Sequence, residues 1–192
     1  MHFEALKEGA FEATTVFYKT LGCQTLVIAM DRRAFTLAGA ANVAQELSAL
    51  AARLAPLGMR IGYHNHAGEM AGADGLDALG CDRGRYAEEV VLQQDVGWTR
   101  FAGKDPAALV RRYPGRTVTT HFKAKLPRRG AAGTPLIGRD RADWAGLVAA
   151  VRSAGGTEWI VVEQEEYPDG LGQLDAVAAS LRGLRPFLAK AE

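Results

Sequence analysis

At residues 59–66 the chain reads MRIGYHNH, a short apolar run that ends in two histidines. Runs of the same kind and of strand length recur at residues 24–30, 90–95, 117–123 and 158–165, and the last three of these also end in polar residues. Nearly continuous apolar runs are typical of strands in a parallel sheet, which helices cover on both faces. The sequence therefore predicts five parallel strands.

Helical patterns separate these strands. Leucines and alanines recur at three- and four-residue spacing, and glycines such as Gly22 and Gly58 follow as stop signals. Strands that alternate with helices build right-handed βαβ units. Because the composition shows no break or linker, we predict a single α/β domain over residues 1–192. The predicted helices span residues 5–21, 37–57, 105–113, 140–155 and 171–190, with a short helix at 76–79 and a loop at 124–138.

The charge of the chain is nearly balanced, with 23 basic and 22 acidic residues among 192. This balance argues against nucleic acids or anionic membranes as electrostatic partners. No apolar run approaches the roughly 18 residues of a membrane span, and glutamates stand where a signal peptide would be basic and apolar. Two cysteines suggest neither a disulfide nor a zinc pattern, so the sequence predicts a cytoplasmic protein.

Side chains that bind metals or move protons stand at the ends of four successive predicted strands. The carboxyl ends of parallel strands meet on one face of a sheet or barrel, where active sites are built. Residues two apart in a strand point to the same side. We therefore predict a metal or substrate site formed by His64, His66, Asp95, His121, Lys123, Glu163 and Glu165.

Two imidazoles with carboxylates form a mixed nitrogen and oxygen donor set, which suits Mn²⁺, Zn²⁺, Co²⁺ or Fe²⁺ better than Ca²⁺. Each residue taken alone has a simpler interpretation. Asp95 is of the type that caps helices, a single histidine is usually a satisfied polar group, and a glutamate at a strand end is often solvated. The recurrence at four successive strand ends favours the site. The four cations of residues 123–130 favour a solvated loop over an anion site.

Five segments, in this order and at this spacing, resemble the sugar phosphate isomerase/epimerase family. This family belongs to the xylose isomerase-like TIM barrels, which also contain endonuclease IV. The resemblance covers most of the chain and rests on GYHNHAGEM (62–70), LQQDVGW (92–98), HFKAK (121–125), IGRDRADW (137–144) and IVVEQEEY (160–167).

The resemblance assigns a divalent metal to four strand-end residues. Many members have a glutamate where this chain has histidine, at the first of the four positions. Members commonly continue the HxK motif with an aspartate, whereas this chain has Ala124 and so lacks a carboxylate there. The implied metal ligands are His64, Asp95, His121 and Glu163.

The resemblance also implies a chemistry, which is proton abstraction next to a carbonyl with an ene-diolate intermediate. Glu163 would lie nearest the base position, and Glu69 would be the second acid/base. His66 and Lys123 would hold substrate hydroxyls or developing negative charge. The expected enzyme is a metal-dependent isomerase or epimerase of a small sugar or sugar phosphate, although related members are lyases or dehydratases.

Two other functions are considered. One is a catalytically weak, metal-binding remnant of the barrel that acts as a binding or interaction protein. The other is a nuclease like endonuclease IV, but its three-zinc cluster needs more histidines than the four present, and its DNA-binding surface needs a basic charge.

An eight-stranded barrel needs about 250 residues. The resemblance therefore implies a partial TIM barrel of about five strands, in which the first three βα units of the family are missing. Such a sheet would expose its edges, which invite pairing. We accordingly expect a homo-oligomer whose contacts involve residues 1–30 and 158–165.

Overall fold

A computed structural model describes residues 1–70, 87–127 and 133–189. The chain forms two compact units, Met1–Gln93 and Gln94–Glu192. Five parallel strands follow one another in chain order, and helices flank them, as a partial α/β TIM barrel. Strand β3 runs from one unit into the other. The predicted fold class is confirmed, whereas the single domain stays a prediction. None of the described helices is both long and apolar enough to cross a membrane.

The first unit contains strands β1 and β2 and the beginning of β3. Strand β2 pairs with β1 through the register Leu26↔Ile61 and with β3 through Tyr63↔Leu92. Short 3₁₀ helices precede α1 and α2 and follow α2. The main elements are α1 (Phe11–Thr20), β1 (Thr25–Ile28), α2 (Leu37–Leu54), β2 (Arg60–His64), α3 (Ala67–Met70) and β3 (Val91–Asp95).

The second unit contains the end of β3 and the last two strands. Strand β4 pairs with β3 through Asp95↔His121 and with β5 through His121↔Val161. A short 3₁₀ helix precedes the last helix. The main elements are α4 (Val96–Phe101), α5 (Pro106–Arg112), β4 (Thr119–Phe122), α6 (Trp144–Ser153), β5 (Trp159–Val162) and α7 (Gln173–Ala189).

Local sequence signals explain where the helices begin and end. The Thr36 hydroxyl accepts a hydrogen bond from the Gly39 N–H at 3.2 Å and caps α2. After α2 and its terminal 3₁₀ turn, Gly58 adopts φ = 69°, a left-handed conformation that glycine favours. At α6 the Asp143 carboxylate accepts from the Gly146 N–H at 2.8 Å. Thr36 and Asp143 thus mark where α2 and α6 begin, and Gly58 marks the end of the helical segment that contains α2, each within a few residues of the predicted position.

The apolar faces of the helices build the cores. In the second unit Trp144 of α6 is 1% exposed, and its ring lies 5.6 Å from that of Phe122 on β4. The indole Nε1–H of Trp144 donates to Asp140 at 2.7 Å, so the polar atom of this large side chain is satisfied. Ala124 belongs to the same buried cluster. The residue that replaces the family's aspartate therefore packs among apolar side chains.

The structure corrects several predicted boundaries. The helix expected at 5–21 is a 3₁₀ turn followed by α1, and β5 ends at Val162, so Glu163 and Glu165 follow the strand. Helix α4, which has only six residues, was not predicted from the sequence. The predicted short helix at 76–79 lies outside the described residues.

The outer edges of β1 and β5 differ. The N-terminal amine of Met1 donates to the Val27 carbonyl at 2.8 Å, and the Ala29 N–H donates to the Met1 carbonyl at 3.0 Å. Part of the β1 edge is thereby paired, contrary to the expectation of an open edge. On β5 the side chains of Trp159 and Val161 are exposed. Oligomerisation stays a prediction, which sedimentation at micromolar concentration would test.

Candidate active site

Three carboxylates surround the ammonium group of Lys123 in the second unit. Lys123 Nζ lies 2.9 Å from Asp95 Oδ2 and 3.0 Å from Glu163 Oε2. It also lies 2.7 Å from Oε1 of Glu165. The side chain of Lys123 is 2% exposed and that of Asp95 is fully buried. Charges this far from water require compensation, and here the lysine and the carboxylates compensate each other.

The strand ends bring these residues together. Asp95 is the last residue of β3, and its Oδ1 accepts a hydrogen bond from the Trp98 N–H at 2.8 Å, which caps α4. His121 lies directly beside Asp95 in the β3–β4 register. Glu163 follows β5, and its N–H donates to the Phe122 carbonyl at 3.1 Å. Asp95 is therefore both a helix cap and a member of the charged cluster.

Gly97 allows α4 to approach Lys123 closely. A Cβ atom at this position would lie 2.7 Å from the Lys123 carbonyl oxygen and 2.9 Å from its Cβ. Both distances are too short for a side chain, so only glycine lets the first turn of α4 pack here. Gly97 is therefore required by the close approach of α4 to Lys123.

His121 and Glu163 form a second pair within the cluster. The Nδ1 atom of His121 and Oε2 of Glu163 are 2.7 Å apart, and the carboxylate accepts the hydrogen bond. This bond lowers the pKa of Glu163 to about 2, with Lys123 acting in the same direction and burial acting against both. Glu163 therefore stays ionised throughout the neutral range, as a metal ligand must.

The low pKa of Glu163 predicts an acid-sensitive contribution to stability. A carboxyl whose pKa is lower in the folded state stabilises the fold above its unfolded pKa, and this stabilisation is lost as the pH falls from about 4.5 toward 2. In metal-free protein, Glu163→Gln should therefore reduce the drop in Tm between pH of about 6 and 3. Thermal melts beside Glu88→Gln, an exposed control, test this. Equal drops in wild type and Glu163→Gln would contradict it.

Burial and charge oppose each other at the remaining members of the cluster. Burial raises the pKa of Asp95 above its ordinary value, although Lys123 and the Trp98 amide act against it. Burial acts to lower the pKa of Lys123, but the three carboxylates outweigh it and the pKa is raised. At Glu165, burial is opposed by Lys123 and Lys125, which hold the pKa below its usual range. The lysine is thus held in its charged form.

Trp98 and Lys125 extend the cluster, and the sequence interpretation had given neither of them a definite role. Lys125 Nζ lies 4.1 Å from the centroid of the Trp98 ring, a distance typical of a cation–π contact. The same ammonium lies 3.3 Å from Glu165 and 3.4 Å from Glu166. The HxKxK spacing could have indicated that Lys125 joins the cluster. Residues 121, 123 and 125 are two apart, and such residues point to the same side of an extended chain.

In the first unit, Glu69 is held by its neighbours. Its side chain is buried, and its Oε1 accepts from the Tyr63 hydroxyl at 2.9 Å while Oε2 accepts from the His66 N–H at 2.9 Å. The Tyr63 hydroxyl in turn accepts from the Asp31 N–H at 2.9 Å. The carboxylate of Glu69 is thereby fixed in position by β2 and the turn that follows it.

His64 ends β2 as predicted and is buried. Its Nδ1–H donates to Oε1 of Gln93 at 3.2 Å. The rings of His64 and His66 lie 4.8 Å apart in an edge-to-face arrangement. The first unit thus brings together His64, His66 and Glu69, and the second brings together Asp95, His121, Lys123, Glu163 and Glu165. Their assignment as metal ligands or catalytic residues stays a prediction.

No family model matches the chain. The rhizopine catabolism protein MocC of Rhizobium meliloti is 28% identical over an alignment of 141 residues, and the alignment covers 65% of this chain and 42% of that protein. The chain thus spans less than half the length of this curated relative.

Solved structures match this chain in fold over most of its length. A sugar phosphate isomerase/epimerase from Parabacteroides distasonis aligns with a TM-score of 0.74 and 20% identity, over 94% of this chain and 64% of that one. The IolI protein with a bound zinc atom aligns with a TM-score of 0.64 and 13% identity, over 96% and 69%. The resemblance seen in the sequence is confirmed at the level of fold: this chain has the fold of the sugar phosphate isomerase/epimerase and xylose isomerase-like TIM barrel proteins, as a partial barrel of five strands.

Proposed function

We propose that this chain carries the metal- and substrate-binding residues of a sugar or sugar phosphate isomerase or epimerase. The observation that carries the proposal is the cluster of Asp95, His121, Lys123 and Glu163 at neighbouring strand ends, in which Asp95 and Lys123 are buried. A buried carboxylate, an imidazole and a second, fully ionised carboxylate are the donors that a divalent metal uses. The substrate is proposed to be a small sugar, in keeping with the solved structures of this fold.

The donor chemistry fits a divalent metal. In the second unit, Asp95, His121 and Glu163 offer carboxylate and imidazole donors next to one another. His64 is proposed as a further ligand because the resemblance assigns it that role. The hydrogen bond between His121 Nδ1 and Glu163 Oε2 is 2.7 Å long, and a metal ion that took either atom as a ligand would replace it. Imidazole and carboxylate donors together suit Mn²⁺, Zn²⁺, Co²⁺ or Fe²⁺. When bound, the metal would polarise the carbonyl and neighbouring hydroxyl oxygens of the sugar.

Side chains of the protein would transfer the proton and hold the developing negative charge. Glu163 is the proposed proton-abstracting carboxylate, but a pKa of about 2 makes it a weak base while His121 and Lys123 contact it. We infer that substrate binding draws the Lys123 ammonium onto a substrate oxygen, where it holds developing negative charge. Glu163 then loses one of the contacts that lower its pKa and becomes more basic.

Glu69 and His66, in the first unit, are the remaining residues proposed to act on the sugar. The Glu69 carboxylate would return the proton as second acid/base, and the Tyr63 hydroxyl and His66 N–H fix its orientation. The His66 side chain would hold a substrate hydroxyl. A carboxylate held by two donors loses little conformational entropy when it acts, which favours a catalytic position.

Substitution of the three clustered glutamates should rank their importance. Glu163→Gln is expected to lower kcat about 100-fold or more, the usual contribution of a general base. Glu165→Gln should have a smaller effect because Glu165 contacts Lys123 but not His121. Glu166→Gln should have the smallest, since Glu166 contacts Lys125 at 3.4 Å rather than Lys123. Steady-state kinetics on a panel of ketoses and aldoses measure this.

The same panel separates catalysis from the alternative function. Turnover that requires added metal and is lost in Glu163→Gln supports the isomerase. Stoichiometric metal binding without turnover on any aldose or ketose, phosphorylated or not, would instead favour a metal-binding remnant of the barrel. If Glu166→Gln were the most damaging substitution, the roles assigned from the β5 end would be wrong.

A further inference from the structure

A polar cavity lies within the second unit, between the end of α4 and the beginnings of α5 and α6. Its volume is about 310 Å³, at the small end of the range for ligand pockets. Four cationic side chains line it, together with the two aspartates that cap the adjoining helices. The cations are Arg100, Lys104, Arg111 and Arg141.

Three of these cations have no carboxylate partner in the part of the chain that the structure describes. Lys104, Arg111 and Arg141 form no ion pair there, although Asp105 and Asp143 line the same cavity. Both aspartates are engaged as helix caps. Asp105 Oδ1 accepts from the Ala107 N–H at 2.9 Å, and Asp143 Oδ1 accepts from the Gly146 N–H at 2.8 Å. The cavity therefore gathers more positive charge than its own carboxylates balance.

The fourth cation is fixed in place. The Nη1 atom of Arg100 lies 2.7 Å from Oδ2 of Asp140, and the Asp140 side chain is fully buried. The other oxygen of Asp140 accepts from the Trp144 indole N–H at 2.7 Å. Since Trp144 belongs to the core, Arg100 is anchored through Asp140 to the rigid interior. A guanidinium held in this way presents its remaining N–H groups without a large loss of rotamer freedom.

We propose that this cavity binds the phosphate group of a small phosphorylated molecule. Arginine guanidinium groups match phosphate oxygens with paired hydrogen bonds, and lysine adds a point charge. The three unpaired cations suit a dianion. A cavity of about 310 Å³ admits a phosphomonoester of metabolite size, and the chain's formal net charge of +1 argues against the phosphates of a nucleic acid.

The test is direct binding to metal-free protein at low ionic strength, with inorganic phosphate and glycerol 3-phosphate as probes. Isothermal titration calorimetry of wild type should show one saturable site for each probe. Arg111→Gln and Arg141→Gln should each raise Kd about tenfold, the loss expected for one charge-assisted contact, and the double variant should raise it further. Arg152→Gln is the matched control, because Arg152 is exposed and, like Arg111, lies in the last turn of its helix.

Each outcome decides the proposal. Wild-type Kd retained in Arg152→Gln and weakened in the cavity variants supports it. Absence of saturable binding, an unchanged Kd in the double variant, or equal weakening by Arg152→Gln would overturn it. If inorganic phosphate bound but glycerol 3-phosphate did not, the assignment to a phosphomonoester would be wrong. The measurement needs neither metal nor turnover, so its result is independent of the proposed isomerase function.

Discussion

Replacing Lys123 with methionine is expected to lower the free energy of unfolding by about 3–5 kcal/mol, the range found when one partner of a buried ion pair is removed. The methylene stem is largely preserved, so the loss comes from the charge. Without the ammonium, the fully buried Asp95 carboxylate would face Glu163 and Glu165 with no cation at 2.9 Å. Urea denaturation of metal-free protein measures the change.

A second substitution identifies the cause. Asp95→Asn preserves the acceptor that caps α4 while removing the buried negative charge. The double variant Lys123→Met/Asp95→Asn should therefore recover part of the lost stability. It removes both charges of the ion pair, so the buried Asp95 carboxylate is no longer left without its cation. Lys104→Met, a lysine outside the charged cluster, is the control and should change stability by less than about 0.5 kcal/mol. A Lys123→Met variant as stable as this control would contradict the argument.

The strands could be predicted from the sequence because their signal is local. Apolar runs such as VVL at residues 90–92 and IVV at residues 160–162 can be recognised without knowledge of distant residues, and the convergence of strand ends follows from parallel pairing. Helix α4 was missed because it lacks such a local signal. It has six residues, with Gly97 near its start, and its stability depends on packing against Lys123 rather than on its own propensity.

The site was predicted less completely than the fold. Alternation correctly placed His121 and Lys123 on one side, and both contact Glu163. The sequence could not predict that the ammonium would lie among three carboxylates, since that depends on rotamers and burial at three strand ends. The same limit applies to Glu69, whose hydrogen bond with Tyr63 is set by the turn after β2.

The second large effect concerns the metal. Asp95→Asn and His121→Gln are each expected to weaken binding of Mn²⁺ or Zn²⁺ at least about 100-fold, since even residues that only orient a ligand contribute about 10–100-fold. Glu166→Gln is the matched control, because Glu166 lies three residues beyond Glu163 and contacts only Lys125 among the cluster's cations. Competition with a fluorescent chelator gives the affinities. Equal, stoichiometric metal in all variants would exclude this site.

Lys123 adds a sharper comparison, because its ammonium contacts two of the proposed ligands, Asp95 and Glu163, and competes with a metal for them. Removing that cation should therefore strengthen metal binding while it weakens the metal-free fold. A ligand that binds only the folded state stabilises it according to its affinity and concentration. Saturating metal should consequently raise the Tm of Lys123→Met more than that of wild type. A smaller increase in the variant would mean that the metal binds elsewhere, or that the lysine supports the bound metal instead of competing with it.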